Sequence, residues 1–483
     1  MILIQLAIAH LIMACTSLRG TQKSFELWAQ VLPIGTPSFS SIRQWLLRVG
    51  LYVLEHHGPK RSDWIWIIDL TVELGPAKCL VVLGIAQAEW QQQVLTHSCS
   101  LQHQDVTVLA IEVLETCNGS VIEQTLEQLG QRVGHPLQIV SDHGCDLKSG
   151  IERYAQPPTR ELLQTYDVTH AMACLLKHTL QDDSAFQQFL SQCHQCRQHL
   201  QQTKLSFLRP PAQRTKARYF ELESLLDWAQ GVLCYYQQGD FSQITTAHGW
   251  DEKTLCQVIE TVDVPTLTRL APLNGQQYAN RHEFNQMLNR LLTPEQVEQF
   301  GPLICQAADL GRREFEHKFH WLLTQPLDLT PYAQQVRLVL QANQYLKHHG
   351  LNYHSHSHFA EATADMALAP DIEAFRAKVI AVIEQEATQL PPEQTWLATS
   401  DVIESLFGKY KLFSQRSPLK EVGLMILTLP LCTVDLTTAL IKQALETVRG
   451  IDVATWAQQT LGPSMFAQRR AVLNPKTGDT EVA

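Results

Sequence analysis

The stretch Trp64–Ile85, WIWIIDLTVELGPAKCLVVLGI, constrains the fold more than any other part of the chain. Two apolar runs, Trp64–Leu70 and Cys79–Ile85, flank a polar link that contains Gly75 and Pro76. Both runs are rich in β-branched and aromatic residues, and a turn signal separates them, so they read as a β-hairpin in a buried sheet. Asp69 interrupts the first run near its end. A carboxylate in an apolar strand is costly unless something pairs with it. Capping of the turn and a functional role are both open for Asp69 until the acids later in the chain are considered.

At 483 residues the chain is long enough for two to four domains and a large core. A hydrophobic content of 45% and a charged content of 18% are those of an ordinary folded protein. The net charge of −10 argues against a protein that coats nucleic acid indiscriminately, so any DNA-binding surface needs local clusters of basic residues. Twelve scattered cysteines form no disulfide framework, which points to a reducing, cytoplasmic setting. The apolar start MILIQLAIAHLIMAC has no basic flank, is interrupted by His10 and is too short to span a bilayer. The run Gly423–Cys432 is also too short and contains Pro430, so no membrane segment is expected.

Residues 2–15, Thr21–Leu32 and Ser40–Leu54 have helical periodicity, with a breaker-rich link over Pro33–Ser38. Residues 1–58 therefore suit either a helix-turn-helix module, with Arg43 and Arg48 on its last helix touching DNA, or a small helical bundle with solvated arginines. After the hairpin, strands are expected over Val106–Leu114, Leu137–Ser141 and Leu162–Asp167. Helices are expected over Ser120–Val133, with Ser120 as N-cap, over Leu147–Ala155, and over His170–Leu180. The order β-β-β-α-β-α-β-α gives an α/β fold with a mixed sheet and matches the ribonuclease H-like arrangement, here over residues 59–180.

The alternation stops beyond that point. Glu221–Tyr236, Arg281–Leu292, Pro331–His348 and Asp371–Glu386 read as helices, so residues 181–394 form a mainly helical insertion. Asp401–Leu412 is a further helix carrying Glu404. Lys420–Leu429, Asp435–Val448 and Val453–Leu461 continue a helical part over residues 395–470, and residues 471–483 form a disordered tail.

Asp69, Asp142 and Glu404 fall at the end of the first strand, the end of the fourth strand and on the late helix. In a ribonuclease H-like sheet those strand ends are neighbours and the helix packs beside them. Three converging carboxylates are what two magnesium ions require: the metals are hard, prefer oxygen ligands and clamp both oxygens of an in-line phosphoryl transfer. Asp146 is an alternative to Asp142, but Asp142 sits at the strand end and fits the fold better.

IIDLTVELGPAKCLVVLGI, IVSDHGCDLKSGI followed by YDVTHAMACLLK, and SDVIESLFGKYK together resemble the DDE transposases of bacterial insertion sequences. These share the ribonuclease H-like fold with retroviral integrases. The resemblance covers residues 60–180 and 395–412. It implies that Asp69, Asp142 and Glu404 are the catalytic and metal-binding residues, with two Mg2+ ions for which Mn2+ substitutes. It also implies that Lys411, seven residues after Glu404, contacts terminal DNA; the pair shares a helical face. Double-stranded DNA, as element ends and target, is the implied partner, with a homodimer in the DNA complex. Asp167 and His170 resemble a strand-end acid and following helix that support such a site, although capping of that helix explains them equally well. Where one subgroup carries a Tyr and an Arg before its glutamate, this chain has Leu397 and Ser400.

Basic clusters at Arg209, Arg214, Lys216 and Arg218, and at Lys409, Lys411, Arg416 and Lys420, are candidate DNA-binding groups. Cys193, His194, Cys196 and His199 form a compact group without a second ligand pair of standard zinc spacing. His354, His356 and His358 read as a solvated tract. The expected function is DNA transposition by metal-dependent cleavage at element ends and strand transfer. Its rivals are a nuclease of the same fold and a catalytically inactive DNA-binding derivative.

Overall fold

The computed structural model describes residues 1–72, 78–97, 100–156, 161–203, 205–213, 222–238, 260–270, 286, 288–300, 310–324, 327–414 and 421–473. The Gly75-Pro76 turn, Arg214, Lys216, Arg218, Arg416, Lys420, most of the helix expected over Arg281–Leu292, and the tail from Asn474 lie outside those residues.

A five-stranded mixed sheet forms the centre of the first of two compact units, which comprises residues 1–172, 341–366 and 377–483. Its strands are β1 (Trp64–Val72), β2 (Lys78–Ala86), β3 (Thr107–Leu114), β4 (Pro136–Ser141) and β5 (Leu163–Tyr166), in the spatial order β3-β2-β1-β4-β5. β1 pairs antiparallel with β2, and β2 with β3, whereas β4 runs parallel to both β1 and β5. The apolar runs are continuous because both faces are covered. Ile65, Ile67, Val81, Leu83 and Val140 enter one core, and Trp64, Trp66, Ile68, Leu80, Val82 and Ile139 enter the other.

The front helices α1 (Ile2–Ile12), α2 (Leu18–Trp28) and α3 (Phe39–Glu55) share the first of these cores with the sheet. They do not form a separate module over residues 1–58. Ile42, Leu46, Leu47, Val49, Leu51, Val53 and Leu54 are buried, so the second half of α3 is enclosed on most sides. Its first half keeps Phe39, Ser40 and Gln44 exposed, with Arg43 half-buried. Arg48 Nε donates to Val448 O at 2.6 Å, and its guanidinium also reaches Leu445 O. This arginine completes the carbonyl end of a C-terminal helix. Gly50 marks the closest approach: a Cβ there would lie 2.3 Å from the backbone oxygen of Leu427.

The second core is closed by α4 (Gly119–Val133) and α5 (Cys145–Ala155). The N-cap of α4 is Asn118, two residues before the expected Ser120. Its Oδ1 accepts from Val121 N at 3.0 Å, and Asn is among the strongest capping residues. Gly134 joins α4 to β4 at φ +100°, where a Cβ would collide with the Arg61 carbonyl. α6 (Val168–Leu180) follows β5 directly.

The second unit, residues 173–340 and 367–376, is helical among its described residues. It includes α7 (Ser184–Leu200), α8 (Leu222–Gln238), a short helix at Val264–Leu270, and α9 (Leu310–Thr324). Its core is aromatic, with Phe315 and Phe319 centroids 4.5 Å apart and Phe186 4.8 Å from Tyr332. Burial raises the Cys193 thiol and pushes Cys196 up to about 11.

α10 (Thr330–His349) runs through the unit boundary at residue 340. Residues 341–366 and 377–394, expected within the insertion, belong to the sheet unit. A two-stranded ribbon pairs Leu351 with Trp396 there, and buried Glu386 accepts from Tyr166 N at 2.9 Å. α11 (Ser355–Ala362) and α12 (Pro370–Ala387) precede α13 (Asp401–Ser414), the late helix of the motif. The helix expected over Lys420–Leu429 is instead a 3-10 turn, Leu424–Leu427, and one α turn, Thr428–Leu431. Gly423 is extended before it, and Pro430 sits in the first-turn region where its missing N–H is tolerated. α14 (Thr438–Thr447), capped by Thr437, supplies the carbonyl end that Arg48 completes.

Candidate active site

Strand register brings two carboxylates to one corner of the sheet. Ile68 stands opposite Ser141, the last residue of β4, in the parallel β1–β4 pair, so Asp69 follows within β1 and Asp142 just past the end of β4. Side chains alternate along a strand. Asp69 continues the series Ile65, Ile67, and Asp142 extends the series of Val140 past the strand end. Both series face the first core. The corner is also where the chain order reverses: the hairpin leaves β1 on one side, and α4 returns the chain on the other. Crevices at the carboxyl ends of strands at such a switch point are where α/β sheets bind ligands.

The third acid arrives on α13. Val402, Ile403, Leu406, Phe407 and Tyr410 pack into that same core. Glu404 and Gly408 are exposed on the other side and Lys411 is half-exposed. Seven residues leave Lys411 only about 20° round the helix from Glu404. Asp69 and Asp142 are both half-buried. Asp69 Oδ1 accepts from Leu70 N at 2.6 Å, and Asp142 Oδ1 from Gly144 N at 3.3 Å. Asp146 is engaged elsewhere, in a 2.9 Å ion pair with Lys78.

Asp167 ties the corner together. Its backbone N donates to Ser141 O at 3.0 Å. Its Oδ1 accepts from Thr169 N at 2.8 Å and His170 N at 3.4 Å, which caps α6. Its Oδ2 accepts from Ser400 N at 3.3 Å and from the Ser400 hydroxyl. One side chain therefore caps α6 and holds Ser400. Burial, reinforced by the nearby charges of Asp401 and Glu404, pushes this carboxyl up to about 6 against the hydrogen bonds from Ser400 and His170. His143 stacks on Tyr166 at 3.9 Å, and Tyr166 lies 5.9 Å from His170. Burial and Lys148 hold His143 below its ordinary value.

Carboxylate oxygens are the ligands that hard divalent cations prefer. Among the described residues, no three His, Cys, Asp or Glu side chains are drawn together closely enough to hold a metal ion. Of the basic candidates, Lys409 and Lys411 are half-exposed on α13, and Arg43 is half-buried on α3.

Sequence reasoning passed over Gln138. This residue is fully buried in the middle of β4 and bonds both the N–H and the C=O of Leu397. The only local signal was an amide within the apolar run LQIV. Lys347 was also passed over; its Nζ lies 2.5 Å from Asp401 Oδ2 at the start of α13.

No protein-family model and no curated protein matches the chain. Among solved structures it is similar to one described as the Drosophila P element transposase strand transfer complex, at 12% identity and a TM-score of 0.34. That match covers 91% of this chain and 92% of the other. A likeness of this degree decides neither fold nor function. No described helix is long and apolar enough to cross a membrane.

Proposed function

We propose that the chain is a DNA transposase of the DDE type, built on a ribonuclease H-like sheet. One observation carries this reading: the β1–β4 register and the side-chain alternation set Asp69, within β1, and Asp142, just past the end of β4, on the sheet face that the helix bearing Glu404 packs against. The strand order, three antiparallel strands followed by two parallel ones, is the order expected of that fold and supports the same reading.

Asp69, Asp142 and Glu404 would hold two Mg2+ ions, with Mn2+ able to substitute; these supply charge neutralisation for in-line displacement at phosphorus. Water attacks a phosphodiester at an element end, and the P–O3′ bond breaks to release a 3′-OH. That 3′-OH then attacks a target phosphodiester; one P–O bond forms as another breaks. Lys411 and Lys409 sit on the helix that carries Glu404, where an ammonium can hold the DNA backbone beside the reacting phosphate. Asp167 and His170 support the strand end from behind. The partner is double-stranded DNA, engaged by a homodimer.

The test is Glu404→Gln, which keeps size and hydrogen-bonding capacity but removes the charge. Magnesium-dependent nicking of an end-containing duplex is expected to fall by at least about a thousandfold, or roughly 4 kcal/mol of barrier, while DNA binding and circular dichroism stay as in the parent. A folded Glu404→Gln protein that nicks normally removes Glu404 from the active site. A paired-end substrate then tells strand transfer from simple hydrolysis.

A further inference from the structure

The four residues before α13, Leu397–Ser400, are fastened to the sheet unit at successive points. Gln138 Nε2 donates to Leu397 O and to Thr165 Oγ1, both at 2.8 Å, and its Oε1 accepts from Leu397 N at 3.2 Å. Val168 N donates to Ala398 O at 3.0 Å. Ser400 donates to Asp167 through both its N–H and its hydroxyl.

The chemistry explains why a fully buried glutamine stands in an otherwise apolar strand. The β4 backbone is already committed sideways to β1 and β5. It has nothing left to offer a segment lying over the face of the sheet. A side-chain amide carries the same donor and acceptor as a peptide group and projects from that face. An apolar side chain of similar volume would fill the space but leave the buried Leu397 N–H and C=O without partners. α13 begins one residue after Ser400, and Glu404 follows within about one turn, roughly 6 Å along the helix axis. Any displacement of the 397–400 segment is carried rigidly to Glu404.

We infer that Gln138 and Asp167 are positioning residues: acting through Leu397 and Ser400, they set where the Glu404 carboxylate stands relative to Asp69 and Asp142. This rests on the assignment of Glu404 to the active site. Two lesions separate positioning from simple stability. Gln138→Met removes the amide at near-constant volume, and Ser400→Ala removes the hydroxyl, with Ser400→Thr as the variant that keeps it.

Binding of Mn2+ alone, without DNA, is followed by electron paramagnetic resonance at a temperature where each variant is folded. Hydrogen exchange of amides 398–406 is measured in the metal-free protein. Gln138→Met and Ser400→Ala are expected to weaken Mn2+ binding by roughly tenfold or more, the usual cost of losing a group that orients a metal ligand. They should also speed exchange over 398–406, and Ser400→Thr should restore both. If the folded variants bind Mn2+ like the parent while Glu404→Gln binds it weakly, the positioning role is overturned and the contacts are structural only. If Glu404→Gln also binds Mn2+ and nicks like the parent, the assignment of Glu404 itself fails and the inference goes with it. Should Gln138→Met not fold, the Ser400 pair alone decides the matter.

Discussion

Helices α3 and α13 pack into the same core, and both looked from sequence like helices that meet DNA. Their other faces differ. α3 is enclosed over its second half, presses a glycine against the Leu427 carbonyl and turns Arg48 onto the end of α14. α13 buries one stripe and keeps Glu404, Gly408 and Lys411 on the other. Amphipathic spacing with a basic residue is common to the two, so the difference lies in what covers the second face. A helix with neighbours on most sides serves the core; a helix that buries one stripe leaves its other face exposed.

The sharpest way to break this comparison is to add one methyl group to each helix. Gly50→Ala places a Cβ against backbone that cannot rotate away, so a loss of about 1–3 kcal/mol of stability is expected from chemical denaturation. Arg48→Met comes next. It leaves the Leu445 and Val448 carbonyls without their donor and should cost about 1 kcal/mol, with affinity for DNA unchanged in a gel-shift assay. A marked loss of DNA binding by a folded Arg48→Met protein would return α3 to the DNA interface.

On α13 the sign reverses. Gly408 has open space where its Cβ would be, and Ala is the better helix former, so Gly408→Ala should stabilise by about 0.5–1 kcal/mol. The smallest effect is that of Lys411→Ala. It should leave stability within experimental scatter and lower the slope of log affinity for DNA against log salt by about one. An unchanged slope would place Lys411 away from phosphate.

The sheet was legible because its signal is local. Two-sided burial makes β1, β2, β3 and β4 continuous apolar runs, and the acids stand out against them. The observed strands match the expected ones to within two residues at each end. What was not legible depends on partners far along the chain. Nothing near Arg48 announces that its acceptors lie around residues 445–448. Nothing near Gln138 announces Leu397. The boundaries of the helical insertion shifted for the same reason: residues 341–366 and 377–394 look like the helices before them, and only contacts such as Glu386 with Tyr166 assign them to the sheet unit. Asp167 shows the intermediate case. Its capping bonds to residues 169 and 170 were readable from spacing, but its bonds to Ser400 were not.

The bond between Gln138 and Leu397 joins groups 259 residues apart in the chain. Ribosomes add roughly 5–20 residues per second, so β4 waits roughly 13–50 s for the segment that completes it. Through that interval the sheet holds two of the three acids, while the face that α13 will cover, with Ile65, Ile67 and Val140, lacks that covering. Glu404, on α13, is made only after that intervening chain. Under the proposed chemistry, a half-made protein has no complete active site.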